Sequence, residues 1–188
     1  MDSKLILASA SPRRAEILAA VGIPFIVRVA EVEEVRRQDE APEDYVKRLS
    51  QAKAEAVRTE PGETVLGADT IVVVPGETGQ ADVLEKPADA SDAKRMLALL
   101  SGRAHQVITG ICLLRGERVI CDVETTTVHF LALDESEIDA YVASGEAAGK
   151  AGGYAIQGLA GKYIHRVEGC YFNVVGLPVS RVWRHMKG

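Results

Sequence analysis

The sequence predicts a single globular domain of the α/β class built on a mixed sheet, and three observations lead to this prediction. Strand and helix patterns alternate through the first half of the chain, whereas consecutive strand patterns dominate its middle. The 188 residues are 47% hydrophobic and 26% charged, which is typical of a globular protein and excludes a mainly disordered chain. No repeat or Pro/Ser-rich linker demands a boundary, so we expect one domain over residues 1–188.

In the first half of the chain, apolar runs and helix-terminating residues define the elements. The first helix has Ser11 as its cap, a proline at its first position and Gly22 after its end. Its apolar face comprises Ile17, Leu18 and Val21. The other elements predicted here are strands over residues 5–8, 25–29 and 65–74 and a second helix over residues 42–58.

The second half combines paired strands with shorter helices. Strands over residues 106–114 and 119–130 are joined through Arg115–Arg118, which predicts a hairpin. Asp134 and Glu137 have the spacing of a capping box and predict the start of a helix. The elements predicted for this half are completed by helices over residues 92–100, 134–143 and 178–186 and a strand over residues 163–167.

Charge, cysteine content and hydropathy exclude several classes of partner. The net charge of −5 argues against a polyanion such as duplex DNA, although a local cationic pocket can still bind a small anion. Cys112, Cys121 and Cys170 are odd in number and form no C-x-x-C pair, which indicates reduced thiols and a cytoplasmic protein rather than a disulfide framework or a zinc site. No apolar run approaches the roughly 20 residues that cross a bilayer, so we expect no membrane association.

Two arginines occupy the first turn of the first helix, where the partial positive charge of the helix end favours acidic residues. Placing Arg13 and Arg14 there costs about 0.3–1 kcal/mol each, whereas a bound phosphate would favour both. Ser9 and Ser11, on the turn from strand to helix, can donate hydroxyl hydrogen bonds to the same anion. The alternative is a solvent-exposed basic turn.

A carboxylate and a lysine interrupt apolar patterns in the middle of predicted elements. Asp69 lies in a hydrophobic strand, where a carboxylate must be paired, bind a cation or lie at the strand's exposed end, and carboxyl ends of such strands carry ligand sites. A turn aspartate is the alternative if the strand begins at Thr70. Lys53 interrupts the apolar stripe of the second helix, so it either snorkels to solvent or points into the same pocket as Arg13.

Three further segments carry polar residues suited to a nucleotide. The proline that follows Lys86 holds this lysine in an extended loop, although such lysines are commonly solvated. Glu33 and Glu34 lie in an acidic segment that suits a magnesium ion, with a solvated loop as the alternative. A glycine-rich stretch over residues 145–161 contains Gln157, whose amide offers both a donor and an acceptor.

Taken together, these segments resemble the Maf family of nucleotide pyrophosphatases. The resemblance rests on motifs spread in order over nearly the whole chain: Ser9–Arg14, Lys53–Ala54, Gly67–Thr70, Lys86–Pro87, Leu100–Arg103 and Lys150–Gly158. It implies an elongated mixed-sheet α/β fold with a deep cleft between two lobes, similar to inosine triphosphate pyrophosphatases, and a homodimer. Arg14, Thr70 and Gln157 match the pattern of the subgroup that acts on dTTP and UTP.

The resemblance implies a house-cleaning enzyme that hydrolyses nucleoside triphosphates to the monophosphate and pyrophosphate with Mg²⁺ or Mn²⁺. The residues implied are Asp69, Lys53 and Lys86 for catalysis, Ser9, Arg13, Arg14, Thr70 and Gln157 for substrate binding, and Asp69 with Glu33 or Glu34 for the metal. One alternative is a regulator of cell division that binds the nucleotide without turnover. Another is a phosphotransferase or γ-phosphatase that uses the same phosphate-binding groups.

Overall fold

The computed structural model describes residues 4–29, 31–76 and 81–188. Within these ranges the strands are β1 (Leu5–Ala8), β2 (Phe25–Val27), β3 (Thr64–Pro75), β4 (Ala81–Leu84), β5 (Ala104–Arg115), β6 (Arg118–Phe130) and β7 (Ile164–Glu168). The α-helices are α1 (Pro12–Ala20), α2 (Pro42–Val57), α3 (Ala90–Leu100), α4 (Glu135–Ala143), α5 (Tyr171–Val175) and α6 (Val179–Lys187). No helix in the described part of the chain is long and apolar enough to cross a membrane.

The strands of the described ranges form one seven-stranded sheet in the order β2-β1-β3-β5-β6-β7, with β4 paired to β3. Strand β1 runs parallel to β2 and β3, whereas β4 is antiparallel to β3 and β7 is antiparallel to β6. Because both strand directions occur and helices connect β1 to β2 and β2 to β3, the predicted mixed-sheet α/β class is confirmed. Ala8 of β1 pairs with Gly67, so β3 continues beyond the end of β1.

The chain divides into two compact units. The first comprises Met1–Thr70, Thr109–Glu124 and Phe172–Gly188, and the second comprises Ile71–Ile108 and Thr125–Tyr171. Most of the predicted site residues fall in the first unit, whereas Lys86 and Gln157 fall in the second.

Helix α2 lies directly on the sheet in the first unit because two glycines leave room for its backbone. A Cβ at Gly67 would lie 1.9 Å from the carbonyl oxygen of Ser50, and a Cβ at Gly110 would lie 2.3 Å from that of Val46. Any larger residue at either position would push the helix away. Since Ser50 is held against β3, Lys53 lies one helical turn further along over the same strand.

Helix caps define where the helices of the second unit begin. The Asp134 carboxylate accepts a hydrogen bond from the Glu137 amide at 2.9 Å, and the Asp134 amide donates to the Glu137 carboxylate at 3.1 Å, which confirms the predicted capping box. Helix α3 begins at Ala90, before the predicted position, because Asp89 caps it by accepting from the Asp92 amide.

The predicted elements are confirmed with ends that differ by no more than two residues, and three details are new or wrong. Strand β4 and helix α5 have no counterpart in the sequence prediction. The third detail concerns Val21, which is 44% exposed and not part of the packed face of α1. Helix α1 ends at Ala20, so Val21 no longer follows the helical stripe of Ile17 and Leu18.

The prediction of three reduced thiols is wrong for two of the cysteines. Cys112 of β5 and Cys121 of β6 form a disulfide, and Cys170 keeps a free thiol. The hairpin explains the pairing, because β5 ends at Arg115 and β6 begins at Arg118. Counting back equally from this turn along both strands places Cys112 opposite Cys121.

Candidate active site

Asp69 lies where β3 extends beyond β1. The register pairs Ala8 with Gly67, so Asp69 is two residues past the end of β1, at the carboxyl end of this parallel pair. Strand β3 begins at Thr64, which makes Asp69 a strand residue and excludes the turn aspartate. The residue is 7% exposed and accepts a hydrogen bond from the Lys53 ammonium, with 2.5 Å between Nζ and Oδ1.

The Lys53 ammonium lies between two carboxylates. Its Nζ is 2.5 Å from Asp69 Oδ1 and 2.6 Å from Glu34 Oε1, and the Lys53 side chain is 14% exposed. These contacts exclude the interpretation in which Lys53 snorkels to solvent. They also bring Glu34 of the acidic segment close to β3, so that one positive and two negative groups meet beyond the end of β1, beside the middle of β3.

Ser9 follows β1 directly and is buried. Its Oγ accepts one hydrogen bond from the Ser11 amide at 3.2 Å and another from Arg14 Nη1 at 3.0 Å. A hydroxyl has two acceptor lone pairs and one proton, so these two bonds leave Ser9 to act as a donor toward any further partner. That polarity is the one required for binding an anion.

Arg14 is buried, and its guanidinium donates to four acceptors of the first unit. Nε donates to the Gly176 carbonyl at 2.8 Å, and Nη1 donates to the Ala68 carbonyl at 2.8 Å as well as to Ser9. Nη2 donates to Thr70 Oγ1 at 3.0 Å. Burial lowers the pKa of Arg14. The four hydrogen bonds offset this cost of burial, because they give most of the N–H groups of the guanidinium an acceptor.

Thr109 belongs to the same network, and sequence analysis missed it. Its Oγ1 lies 2.9 Å from Thr70 Oγ1 and donates to the Asn173 carbonyl at 3.3 Å. A signal existed in the sequence, because Thr109 is a polar residue in the apolar run of β5, just as Asp69 is in β3.

Arg13 and Glu33 are placed differently from the residues beside them. Arg13 is half-buried, and its Nε donates to the Val175 carbonyl at 3.3 Å. Glu33 and Glu34 are both exposed, and it is Glu34 that forms the ion pair with Lys53. The predicted residues that the structure brings together in the first unit are Ser9, Arg14, Glu34, Lys53, Asp69 and Thr70.

Lys86 and Gln157 lie on connected segments of the second unit. Lys86 is exposed and follows β4, and the carbonyl of the preceding Glu85 accepts a hydrogen bond from the Gly152 amide at 3.0 Å. Gly152 has a φ of +68°, and a Cβ there would lie 2.7 Å from the Val72 side chain. Only glycine therefore suits this connection between the lysine loop and the glycine-rich stretch that contains Gln157.

The turn that carries the exposed Gln157 is held at both ends. The Ala155 amide donates to Tyr141 Oη at 3.1 Å, and the Leu159 amide donates to Glu146 Oε2 at 3.1 Å. Tyr141 Oη donates to Glu146 Oε1 at 2.8 Å, and burial together with this carboxylate raises the pKa of Tyr141. Sequence analysis missed both Tyr141 and Glu146, because their contacts depend on the path of the glycine-rich stretch.

Asp69 and Glu34 are the carboxylates of this cluster that could hold a divalent cation. Both approach one ammonium, and carboxylate oxygens are hard ligands that suit Mg²⁺ or Mn²⁺. In the described ranges no group of three or more His, Cys, Asp and Glu side chains could hold a metal by itself. Since Mg²⁺ is usually held by one or two carboxylates together with phosphate oxygens, two are sufficient.

The fold and the cluster define a mixed α/β protein with cationic and carboxylate side chains gathered at the carboxyl end of a parallel strand pair. A family model described as Maf-like protein matches residues 4–188. The chain therefore belongs to the Maf-like family, and the resemblance found in its motifs is confirmed.

Relatives named dTTP/UTP pyrophosphatase match nearly the whole chain. The one from Symbiobacterium thermophilum is 51% identical over 179 residues, which cover 95% of this chain and 90% of the relative. The one from Koribacter versatilis is 48% identical over 184 residues, which cover 97% and 93%. A solved nucleoside-triphosphatase / dITP/XTP pyrophosphatase from Mycobacterium abscessus aligns with a TM-score of 0.44 and 17% identity, over 69% of this chain and 75% of that chain.

Proposed function

We propose that this chain hydrolyses dTTP and UTP to the monophosphate and pyrophosphate. Relatives that carry the name dTTP/UTP pyrophosphatase are 45–51% identical over at least 95% of the chain. The observation in the structure that supports the proposal most directly is the Lys53 ammonium between Asp69 and Glu34. A lysine and two carboxylates at the end of a parallel strand pair suit a polyphosphate and its accompanying cation.

In the proposed reaction, water attacks the α-phosphorus and the bond from that phosphorus to the α–β bridging oxygen breaks. The electron pair of this bond leaves with pyrophosphate. Ser9, Arg13, Lys53 and Lys86 bind the triphosphate, and the three cationic groups offset the charge that grows on the leaving group.

Asp69 orients the attacking water or accepts its proton. A carboxylate is a weak base at neutral pH, so most of the activation must come from charge at the phosphate. A divalent cation held by Asp69 and Glu34 would supply that charge by polarising the phosphoryl oxygens. Between the two glutamates left open by the sequence, the ion pair with Lys53 favours Glu34 over Glu33.

Gln157 reads the base in this proposal. Thymine and uracil present an O4 acceptor beside an N3–H donor, and one amide group can satisfy both. The exposed position of Gln157 on a braced turn suits this role.

Product analysis tests the proposed reaction. We expect the protein to convert dTTP and UTP, faster than CTP or methylated GTP, into monophosphate and pyrophosphate when Mg²⁺ or Mn²⁺ is present. Release of inorganic phosphate would favour a γ-phosphatase instead, and tight binding without turnover would favour a regulator.

Asp69→Asn tests the assignment of the reacting carboxylate. We expect turnover to fall by about 10²–10⁴-fold while the fold is kept. Asp139→Asn is the matched control, because Asp139 forms an exposed ion pair with Lys94 on α3. Hydrolysis by the Asp69 variant at a rate near that of the wild type would contradict the role of Asp69.

The family resemblance also leads us to propose a cytoplasmic homodimer. Light scattering on the purified protein tests the oligomeric state, with a mass close to that of one chain as the contradicting result. Fractionation of cells tests the location.

A further inference from the structure

We propose that Arg14 is a positioning residue that holds Asp69 and Ser9 in place, rather than a contact of the nucleotide. The inference rests on the proposed function, because it assigns Arg14 a task within that reaction. Its basis is the set of acceptors that the buried guanidinium reaches.

Arg14 binds the residues on both sides of Asp69 in β3. Nη1 donates to the carbonyl of Ala68 at 2.8 Å, and Nη2 donates to the hydroxyl of Thr70 at 3.0 Å. These two bonds fix the backbone before Asp69 and the side chain after it. A displacement of Asp69 along β3 would therefore break at least one of them.

Arg14 reaches β3 from the face opposite to the one that carries the Asp69 side chain. Side chains alternate along a strand, so Gly67 and Asp69 share one face and Thr70 points to the other. A Cβ on Gly67 would run into α2, and Asp69 binds Lys53 of the same helix. The Thr70 side chain instead binds Arg14 of α1. Arg14 therefore binds the two neighbours of Asp69 from the face of β3 opposite to the one that carries the Asp69 side chain.

The same group orients the serine that is suited to bind phosphate. Arg14 Nη1 donates to Ser9 Oγ at 3.0 Å and thereby helps to direct the hydroxyl proton outward. Nε donates to the Gly176 carbonyl at 2.8 Å, which ties the group to the segment before α6. One side chain therefore sets the relative placement of the end of β1 and the middle of β3.

A direct contact with a triphosphate would compete with these bonds. Arginine has five N–H donors in a fixed plane, and four of them are engaged with protein acceptors. Arg14 is 8% exposed, whereas Arg13 on the same turn is half-buried and makes a longer 3.3 Å bond to a carbonyl. Of the two arginines, Arg13 is the one placed to turn toward a phosphate.

The experiment compares three variants of the full-length protein: Arg14→Lys, Thr70→Val and Arg13→Lys. Thr70→Val removes the hydroxyl that Arg14 binds, keeps the size of the side chain at position 70 and leaves the charge of Arg14 in place. This variant can therefore carry the test if Arg14→Lys does not fold. Steady-state kinetics with dTTP gives kcat and KM, and hydrogen exchange measured by mass spectrometry follows the peptide that contains residues 67–71.

We expect Arg14→Lys and Thr70→Val to lower kcat about tenfold or more, because both loosen the placement of Asp69. KM should stay within about threefold in Thr70→Val, because this variant keeps the bond from Arg14 to Ser9. Exchange at residues 67–71 should accelerate about tenfold, beyond any change in α2. The two kcat losses should be less than additive in the double variant, since both substitutions remove the bond between Arg14 and Thr70. Arg13→Lys should instead raise KM and leave this exchange unchanged.

A raised KM for Arg14→Lys, with kcat and exchange unchanged, would overturn the proposal and make Arg14 a nucleotide contact. Faster exchange with unchanged kcat would overturn it too, because the held strand would then not matter for the reaction. If the wild-type protein cleaves no nucleotide, the proposed function fails first. Unchanged exchange in both Arg14→Lys and Thr70→Val would then still overturn the positioning role.

Discussion

The stability of the protein below neutral pH should depend strongly on one buried histidine, His105. It is 1% exposed, and its Nε2 lies 2.8 Å from Tyr154 Oη, while Nδ1 has no hydrogen-bond partner among the described residues. The ring also contacts Phe130 and Tyr154 edge-on. Burial, and to a smaller extent the charge of His129, lowers the pKa of His105 to about 3.

The direction of the effect follows from the two states of the protein. An unfolded histidine has a pKa of about 6.5, so between pH 6.5 and pH 3 the unfolded state binds a proton at His105 that the folded state does not. The free energy of unfolding therefore falls as the pH drops below 6.5, by about 1.4 kcal/mol for each pH unit. At pH 5 the contribution of His105 amounts to about 2 kcal/mol.

His105→Phe removes this titration and keeps a ring of similar size beside Phe130. Urea unfolding followed by circular dichroism at pH 7 and pH 5 measures the change for wild type and variant. Between pH 7 and pH 5, we expect the free energy of unfolding of the variant to fall by about 2 kcal/mol less than that of the wild type. The exposed His165→Gln serves as control and should keep the wild-type dependence. The same pH dependence in His105→Phe and wild type would refute the buried neutral histidine.

Three further predictions concern packing, the disulfide and the Gln157 turn. Gly67→Ala should lower the free energy of unfolding by about 3 kcal/mol, because its Cβ would lie 1.9 Å from a carbonyl oxygen of α2; urea unfolding measures this. Reduction of the Cys112–Cys121 disulfide should cost about 2–3 kcal/mol for so short a loop, seen as a lower urea midpoint. Glu146→Gln should weaken the hydrogen bonds that hold the Gln157 turn, so that the amide of Gln157 is less well placed. The preference for UTP over CTP, measured as the ratio of kcat/KM values, should therefore fall.

Each of these has a control within the chain. A Cβ at Gly62 would meet no atom within 4 Å, so Gly62→Ala should leave stability nearly unchanged, and an equal loss there would contradict the packing argument. A Cys112→Ala/Cys121→Ala variant should not respond to reductant. For the turn, Gln157→Ala should reduce the UTP preference at least as much as Glu146→Gln, and an unchanged preference in both would refute base reading by Gln157.

Local rules predicted most of the fold because the elements of this chain follow them. The stripe of Ile17 and Leu18, the capping box of Asp134 and Glu137, and the valine-rich β3 each depend on residues close in sequence. The disulfide depends on register instead. Spacing alone gave no reason to pair Cys112 with Cys121, whereas the predicted hairpin at Arg115–Arg118 placed them opposite each other.

The candidate site was predictable in its residue types but not in its contacts. Consecutive helical residues are about 100° apart, so Arg13 and Arg14 cannot face the same way. Arg14 precedes Ile17 and Leu18 by three and four residues and lies at the centre of their buried stripe, whereas Arg13 has such a spacing to Ile17 alone and lies at the edge of the stripe. Helical spacing could therefore have separated the two arginines, but the acceptors of Arg14 lie as far as 162 residues away.

Helices α1 and α2 each carry one charged residue on a buried stripe. Lys53 interrupts the apolar stripe of α2 as Arg14 interrupts that of α1, and a charge on a buried stripe must find partners or it destabilises the fold. Both find them on one stretch of β3: Arg14 at Ala68 and Thr70, and Lys53 at Asp69 between them. Two cations thus hold three consecutive strand residues from opposite faces. Folding alone does not require this arrangement, since apolar residues would pack both helices on β3 at lower cost. The role proposed for Asp69 does require it, because the reacting carboxylate must be held in one place.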